Sequence, residues 1–188
     1  MTQHDELARR LSARISGADV RLLAHRAADD EPLRDRLFDL AWSDDRRTAD
    51  NATWVMTHLP HSADTWLGSR RTALEDAAMT ARHETRRRLM LTLVERLPMT
   101  KDDVRGSFVD FCFKGLAEGN QPPGIRSLCL KLSVAHCRHF PELTPELEMM
   151  LDLMADREMK PGIRSAWKKA RAFVQSQRTA DKHRKESK

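Results

Sequence analysis

The sequence predicts an all-α protein built from successive pairs of helices. The pentapeptide PGIRS occurs at residues 123–127 and again at 161–165, 38 positions later. No run of residues alternates β-branched and polar side chains between turn dipeptides such as Asn-Gly, so strand signals are absent. Ser, Thr and Asp residues recur just before apolar residues spaced three and four apart, which is the pattern of capped helices.

In the first half of the chain, each predicted helix follows from a cap or an apolar face. Ser16 is the expected cap of the second helix, and Asp30 caps the third, with Pro32 in its first turn. Ser62 is expected to cap one helix that carries Trp66 through Ala78. The remaining predicted helices of this half are 3–14, 18–29, 46–58 and 83–97.

The second half follows the same rules. Thr100 with Asp103 forms a box-like cap, and the apolar positions from Val104 to Leu116 then follow at helical spacing. Thr144 followed by Pro145 begins another helix. The helices that start with PGIRS are predicted at 123–139 and 161–175. Because the connections are short, successive helices are expected to be antiparallel neighbours.

The repeated pentapeptide belongs to a longer period. A position 39 residues before Arg126 is Arg87, so ETRRRLMLTL is a degenerate third copy, and residues 44–60 form a weaker fourth. Proline is tolerated in a first helical turn, glycine is expected to ease the turn into the helix, and isoleucine packs inward. A period of about 40 residues with two helices per period is typical of an α-solenoid.

With this period and these helix pairs, the chain resembles HEAT/armadillo-like helical repeat proteins over about residues 15–175. The resemblance implies a right-handed α-solenoid of about five antiparallel helix pairs, with the second helices lining the concave face. We therefore expect one repeat domain, residues 1–175, and the composition of residues 176–188 predicts a polar basic tail after it. Small bacterial proteins of this superfamily are similar, but they offer no activity to transfer residue by residue.

The resemblance also implies an inter-repeat ladder. HEAT repeats commonly place an acidic residue in the turn and a basic residue early in the second helix. The matching acidic residues are Asp44 or Asp45, and Glu84; the later repeats lack an obvious acidic mate. The matching basic residues are Arg47, Arg87, Arg126 and Arg164.

Basic residues suggest a second surface. Residues 176–188 contain five basic residues and two acidic ones, so this tail carries most of the net charge of +5. Arg86, Arg87 and Arg88 cannot all point inward, because consecutive helical residues lie about 100° apart. The candidate basic surface comprises Arg82, Arg86, Arg88, Arg70 and Arg71.

Other chemistry finds little support. Cys112, Cys129 and Cys137 lack CxxC spacing, which predicts buried free thiols in a reducing cytoplasm. No metal, cofactor or catalytic residue is predicted, because HExxH, phosphate-loop and GxSxG patterns are all absent. A secretory signal is not expected, because the first residues contain no apolar h-region, and no apolar run approaches the length needed to span a membrane. Trp42 and Trp54 are expected to pack in the core among apolar neighbours.

The function predicted from these observations is a non-enzymatic scaffold that binds a protein or peptide on the solenoid surface. The alternative is nucleic-acid binding through the surface around Arg82–Arg88 and the tail. A third hypothesis is a HEAT-like DNA glycosylase, which would need an acidic residue and aromatic residues together on the concave face. No Asp of this chain can be matched to the catalytic acid of that family. The oligomeric state stays open.

Overall fold

The computed structural model describes residues 3–155 and 159–186, with side chains from 6 to 155 and from 159 to 180. This part of the chain is helical throughout, without a strand, and the all-α prediction is confirmed. The helices are α1 (Gln3–Ser12), α2 (Gly17–Ala28), α3 (Glu31–Leu40), α4 (Arg46–Met56), α5 (Asp64–Gly68), α6 (Arg71–Thr80), α7 (Glu84–Arg96), α8 (Gly106–Ala117), α9 (Pro123–His139), α10 (Thr144–Ala155) and α11 (Pro161–Glu186).

The chain forms two compact units, Met1–Pro98 and Met99–Lys188. In the first unit α4 is central: it contacts α1, α2, α3 and α7, while α6 packs on α7. The buried residues of α4 are mostly small: Thr48, Ala49, Ala52, Thr53, Val55 and Met56. Alanines allow several helices to approach one central helix closely, which explains why α4 occupies this place.

In the second unit, helices that hold the same place in their pairs contact each other. The first helices of its two pairs, α8 and α10, contact each other, and so do the second helices, α9 and α11. Phe108 and Leu116 of α8 and Ile125 and Leu130 of α9 are fully buried. This is the contact pattern that a repeated helix pair produces, and it is the structural counterpart of the repeated pentapeptide.

Several predicted caps are present in the structure. Ser16 forms a complete capping box with Asp19, and hydrogen bonds from Ser16 lower the pKa of the Asp19 carboxyl to about 2. Asp30 accepts a hydrogen bond of 2.8 Å from the backbone N–H of Leu33 at the start of α3. Thr100 and Asp103 also form a capping box, but on a 3₁₀ turn (Lys101–Asp103); α8 begins only at Gly106.

The single helix predicted from Ser62 is wrong. A 3₁₀ turn (His61–Ala63), α5 and α6 replace it. The carbonyl oxygen of Trp66 accepts hydrogen bonds from the Ser69 hydroxyl, at 2.8 Å, and from the Arg70 guanidinium, at 3.0 Å. In a continuous helix the Trp66 carbonyl would accept a hydrogen bond from a backbone N–H four residues later. Here side chains donate to it instead, and α5 ends after about one turn.

Helix α11 differs from its prediction in length. It continues past residue 175 to Glu186, so the residues expected to form a tail extend the same helix. The side chains of residues 181–188 lie outside the described part. Glycine in the second pentapeptide has an ordinary backbone conformation, and a Cβ on Gly162 would meet no atom within 4 Å. The expected role of glycine in the turn is therefore not seen at this copy.

Candidate functional site

The arginines aligned by the repeat occupy equivalent places at the starts of their helices. Arg87, Arg126 and Arg164 are each the fourth residue of α7, α9 and α11. Arg87 donates a 2.6 Å hydrogen bond to the carbonyl oxygen of Ala81, just beyond the end of α6. Arg126 reaches the carbonyl of Leu116 at 3.4 Å, near the end of α8, and Arg164 that of Met159 at 3.1 Å. The arginines thus bind carbonyl groups that a helix end or loop leaves without a partner.

The alignment of the repeats within the chain did not include Arg34, which belongs to this set, and it included Arg47, which does not. Arg34 is the fourth residue of α3 and donates to the carbonyls of Ala27, at 2.9 Å, and Ala28, at 2.6 Å, at the end of α2. Arg47 is the second residue of α4, and its side chain is exposed. Counting from the helix cap instead of along the repeat period would have found Arg34. That the aligned arginines link neighbouring repeats as a ladder remains a prediction.

The proposed acidic members have other partners or positions. Asp45 caps α4: it accepts hydrogen bonds from the backbone N–H and the hydroxyl of Thr48, which lower the pKa of its carboxyl. Glu84 is the first residue of α7 and is exposed. Asp44 is exposed and lines a pocket described below.

Two arginines of the predicted basic surface are held within the first unit. Arg71 is 5% exposed; it lies 3.8 Å from the carboxylate of Glu75 and donates a 2.6 Å hydrogen bond to the carbonyl of Pro98. Arg70 pairs with Asp35 at 2.7 Å and lies over an aromatic ring. Their charges are therefore used in internal contacts, and the basic surface is smaller than predicted.

Arg82 and Arg86 line a pocket of about 380 Å³ together with an exposed tryptophan, Trp42. Arg88 is exposed on α7, the helix of Arg86, but does not line this pocket. We call this site the Trp42 pocket. Its lining residues are Trp42, Ser43, Asp44, Arg46, Asp50, Ala77, Thr80, Ala81, Arg82, His83 and Arg86.

The prediction that Trp42 packs in the core is wrong, because its side chain is 41% exposed. It follows the end of α3 and the C-cap Ala41, and so it leaves the apolar face that the helix presents inward. Its neighbour in the same pattern, Trp66, is buried, and Trp54 is half-buried. Proximity to apolar residues in sequence did not distinguish the three.

Trp42 lies in a row of aromatic rings and guanidinium groups, where it stands between Arg86 and Phe38. Its ring centroid is 4.4 Å from that of Phe38, and the Arg86 guanidinium lies 5.9 Å from the Trp42 ring centroid. Arg70 then lies 5.4 Å from the Phe38 centroid and 4.1 Å from the Trp66 centroid. Each contact is of the cation–π or aromatic type, so Trp42 contacts a ring on one side and a guanidinium on another. We call it the cation–aromatic row.

The charges of the Trp42 pocket are only partly neutralised. Arg46 pairs with Asp50 at 3.5 Å, within α4. Arg82 and Arg86 have no ion pair with a carboxylate among the described residues. The pocket therefore presents two guanidinium groups outside any ion pair and one aromatic ring, with Asp44 as a further acidic group. Such a set can hold an anion and an apolar group side by side.

Among the described residues, no group of three or more His, Cys, Asp or Glu side chains could hold a metal ion. The clustered His136 is buried and packs edge-on against Phe108, with ring centroids 6.0 Å apart. All three cysteines are buried, as predicted, and none of them belongs to a disulfide. Burial raises the pKa of the Cys137 thiol to about 11, which keeps it protonated and unreactive at neutral pH.

No helix in the described part of the chain is both long enough and apolar enough to cross a membrane. Searches of curated proteins and of solved structures give no significant match. A family model described as a HEAT repeat domain matches residues 7–172, which is most of the chain. This match agrees with the stacked helix pairs of the second unit and with the repeated helix starts. The chain belongs to the HEAT repeat family.

Proposed function

We propose that this protein is a non-enzymatic scaffold that binds a protein or peptide partner, and that the Trp42 pocket is part of the contact surface. HEAT repeats generally serve as protein-interaction scaffolds. The single observation that carries the proposal is the 41% exposure of Trp42 in a pocket beside two uncompensated arginines. Tryptophan and arginine are the side chains most enriched among residues that dominate binding energy at protein interfaces.

The cation–aromatic row supports this proposal because it holds the exposed groups in place before a partner arrives. Trp42 is packed against Phe38 on one side and against Arg86 on another. A partner that binds a pre-ordered side chain loses less conformational entropy than one that must order a mobile side chain. A tryptophan held in this way is suited to act as an anchor.

A second pocket in the same unit provides a contrast. It measures about 230 Å³ and is lined by residues of α1, α2 and α3. Two of its charged residues already have partners: Arg10 pairs with Asp19 at 3.0 Å, and Asp30 caps α3. It also contains no aromatic side chain. The Trp42 pocket is therefore the stronger candidate for a partner contact.

Nucleic-acid binding has weaker support. Arg82, Arg86 and Arg88 could contact phosphates, but Arg70 and Arg71 are engaged internally. A repair enzyme would need carboxylates beside aromatic residues, and the pocket does bring Asp44 and Asp50 near Trp42. Asp50, however, is paired with Arg46. Three buried cysteines outside any disulfide support the proposal that the protein works in a reducing cytoplasm.

The test compares partner capture by the wild-type protein and by Trp42→Ala, from lysate of the source cells, with and without nuclease. Leu22→Ala is the matched control, because Leu22 is 54% exposed in the same unit but lies outside the pocket. We expect a discrete protein that survives nuclease and is retained by the control, and we expect Trp42→Ala to lose it by at least ~10-fold. Equal capture by Trp42→Ala, or a partner lost on nuclease treatment, would reject the proposal.

A further inference from the structure

The Trp42 pocket also indicates what kind of partner segment it recognises. Resting on the proposed function, we propose that it binds an acidic linear segment in which an apolar or aromatic side chain lies next to an Asp or Glu. The carboxylate pairs with Arg82 and Arg86, and the neighbouring apolar side chain covers the exposed face of Trp42. The proposal rests on the charges, the size and the arrangement of the pocket.

The charge of the pocket selects an anion. The guanidinium of Arg46 is compensated by Asp50 at 3.5 Å, whereas Arg82 and Arg86 have no carboxylate partner among the described residues. Arginine forms two parallel hydrogen bonds to a carboxylate, a geometry that a lysine or a neutral amide in the partner cannot supply. An acidic side chain is therefore the natural complement of these two residues.

The aromatic ring selects an apolar group beside that anion. Trp42 contacts Phe38 and Arg86, and 41% of its side chain is still accessible. A pocket of about 380 Å³ is of the size that typical ligand sites have and can hold a large side chain. Removing the ring surface from water favours binding of an apolar side chain at this place.

The arrangement of charge favours a short acidic segment over a nucleic-acid strand. A phosphate backbone carries a charge at every nucleotide and needs a continuous row of cations. Here the arginines that would extend such a row, Arg70 and Arg71, are bound to Asp35, Glu75 and Pro98. Asp44 in the pocket lining would also repel a polyanion, whereas a single carboxylate can bind away from it.

The experiment measures the binding of dye-labelled synthetic peptides to the full-length protein by fluorescence anisotropy. The test peptide alternates Asp or Glu with Leu or Trp. One matched peptide replaces the acids by Asn and Gln, and a second replaces the apolar residues by Ala. We expect the test peptide to bind at least ~10-fold more tightly than either matched peptide, with affinity that falls as salt is added. Equal binding of the amide peptide would overturn the proposal.

Variants locate the binding. Arg82→Gln and Arg86→Gln are each expected to weaken the test peptide by about 10-fold, because each removes a charge-assisted hydrogen bond. Arg88→Gln is the matched control: Arg88 is an exposed arginine of α7, the helix of Arg86, and it does not line the pocket. A loss with Arg88→Gln as large as that with Arg86→Gln would show a diffuse charge effect and overturn the proposal. Circular dichroism of each variant checks that it is folded.

The outcomes separate this inference from the proposed function. If Trp42→Ala abolishes partner capture but the acidic peptide binds no better than its amide counterpart, the scaffold function stands and the inference fails. If a dye-labelled single-stranded oligonucleotide binds more tightly than the peptide and depends on Arg86, both proposals fail in favour of nucleic acid. Peptide binding that depends on Trp42, Arg82 and Arg86 supports both.

Discussion

Helices α9 and α11 begin with the same pentapeptide, but the two copies lie in different surroundings. In both copies the isoleucine is buried, with 1% exposure for Ile125 and 2% for Ile163. The following arginines differ: Arg126 is 8% exposed and reaches a carbonyl near the end of α8, whereas Arg164 is exposed and binds the loop carbonyl of Met159. One local sequence thus yields one buried and one exposed guanidinium.

Neighbouring helices cause the difference. Helix α9 contacts α8, α10 and α11, while α11 contacts α9 and α10 within the same unit. The approach of α8 to α9 is close: a Cβ added to Gly115 would lie 2.9 Å from the Sγ atom of Cys129. The comparison teaches that PGIRS encodes the start of a helix and its inward isoleucine, and that the number of neighbouring helices decides the burial of the rest.

The largest expected effect comes from the isoleucines. Because both are buried, Ile125→Ala and Ile163→Ala should each lower the free energy of unfolding by about 2–5 kcal/mol, through lost burial and a cavity. Chemical denaturation followed by circular dichroism measures both. A loss at Ile163 of less than half that at Ile125 would show that the two copies are not equivalent in their packing.

The close contact of α8 with α9 gives the next effect. Gly115→Ala should destabilise the protein by about 1–3 kcal/mol, because the new Cβ would overlap the buried sulfur of Cys129. Gly162→Ala in α11 is the control: its Cβ meets no atom within 4 Å, so it should be neutral or stabilising by up to about 1 kcal/mol. Adding Cys129→Ala to Gly115→Ala should recover part of the loss, and an additive double variant would refute the steric explanation.

The arginines give a smaller difference. Arg126→Met should cost about 1–2 kcal/mol, because the carbonyl of Leu116 loses a buried donor while the aliphatic stem is kept. Arg164→Met should change the free energy of unfolding by less than about 0.5 kcal/mol, since the side chain is exposed. Thermal and chemical denaturation test both variants. Equal costs would mean that burial does not distinguish the two copies.

The thiols of α9 report its burial without altering stability. Burial raises the pKa of Cys137 to about 11, so its thiol stays protonated between pH 7 and pH 9 and should react slowly with iodoacetamide. Unfolding in denaturant should restore rapid labelling at Cys129 and Cys137. Mass spectrometry of labelled peptides measures the rates. Fast labelling of Cys137 in the native protein would show that α9 is less protected than its contacts indicate.

Elements governed by adjacent residues were predictable from the sequence. The caps at Ser16 and Asp30 and the limits of α9 depend on hydrogen bonds or proline positions within a few residues. The break between α5 and α6 was missed, because Ser62 and the apolar spacing suggested one continuous helix. The carbonyl of Trp66 is bound instead by the side chains of Ser69 and Arg70, a competition that apolar periodicity does not reveal.

The candidate site was predictable only in part. Arg82 and Arg86 were expected on a basic surface, and they line the Trp42 pocket. The exposure of Trp42 and the internal pairing of Arg70 and Arg71 were not foreseen. The pairing of Arg71 with Glu75 is an i,i+4 spacing that the sequence does contain. The contacts of Arg70 with Asp35 and of Arg71 with the Pro98 carbonyl join residues 35 and 27 positions apart, which only packing brings together.

By itself, the sequence determined the helical class, the repeat and most helix starts, because capping, proline geometry and apolar spacing act over one or two turns. Only the tertiary structure decided which arginines bind carbonyl or carboxylate groups and which do not. It also decided which tryptophan is exposed to solvent. Burial depends on the number of helices packed around a residue, and the pentapeptide shared by α9 and α11 does not carry that number.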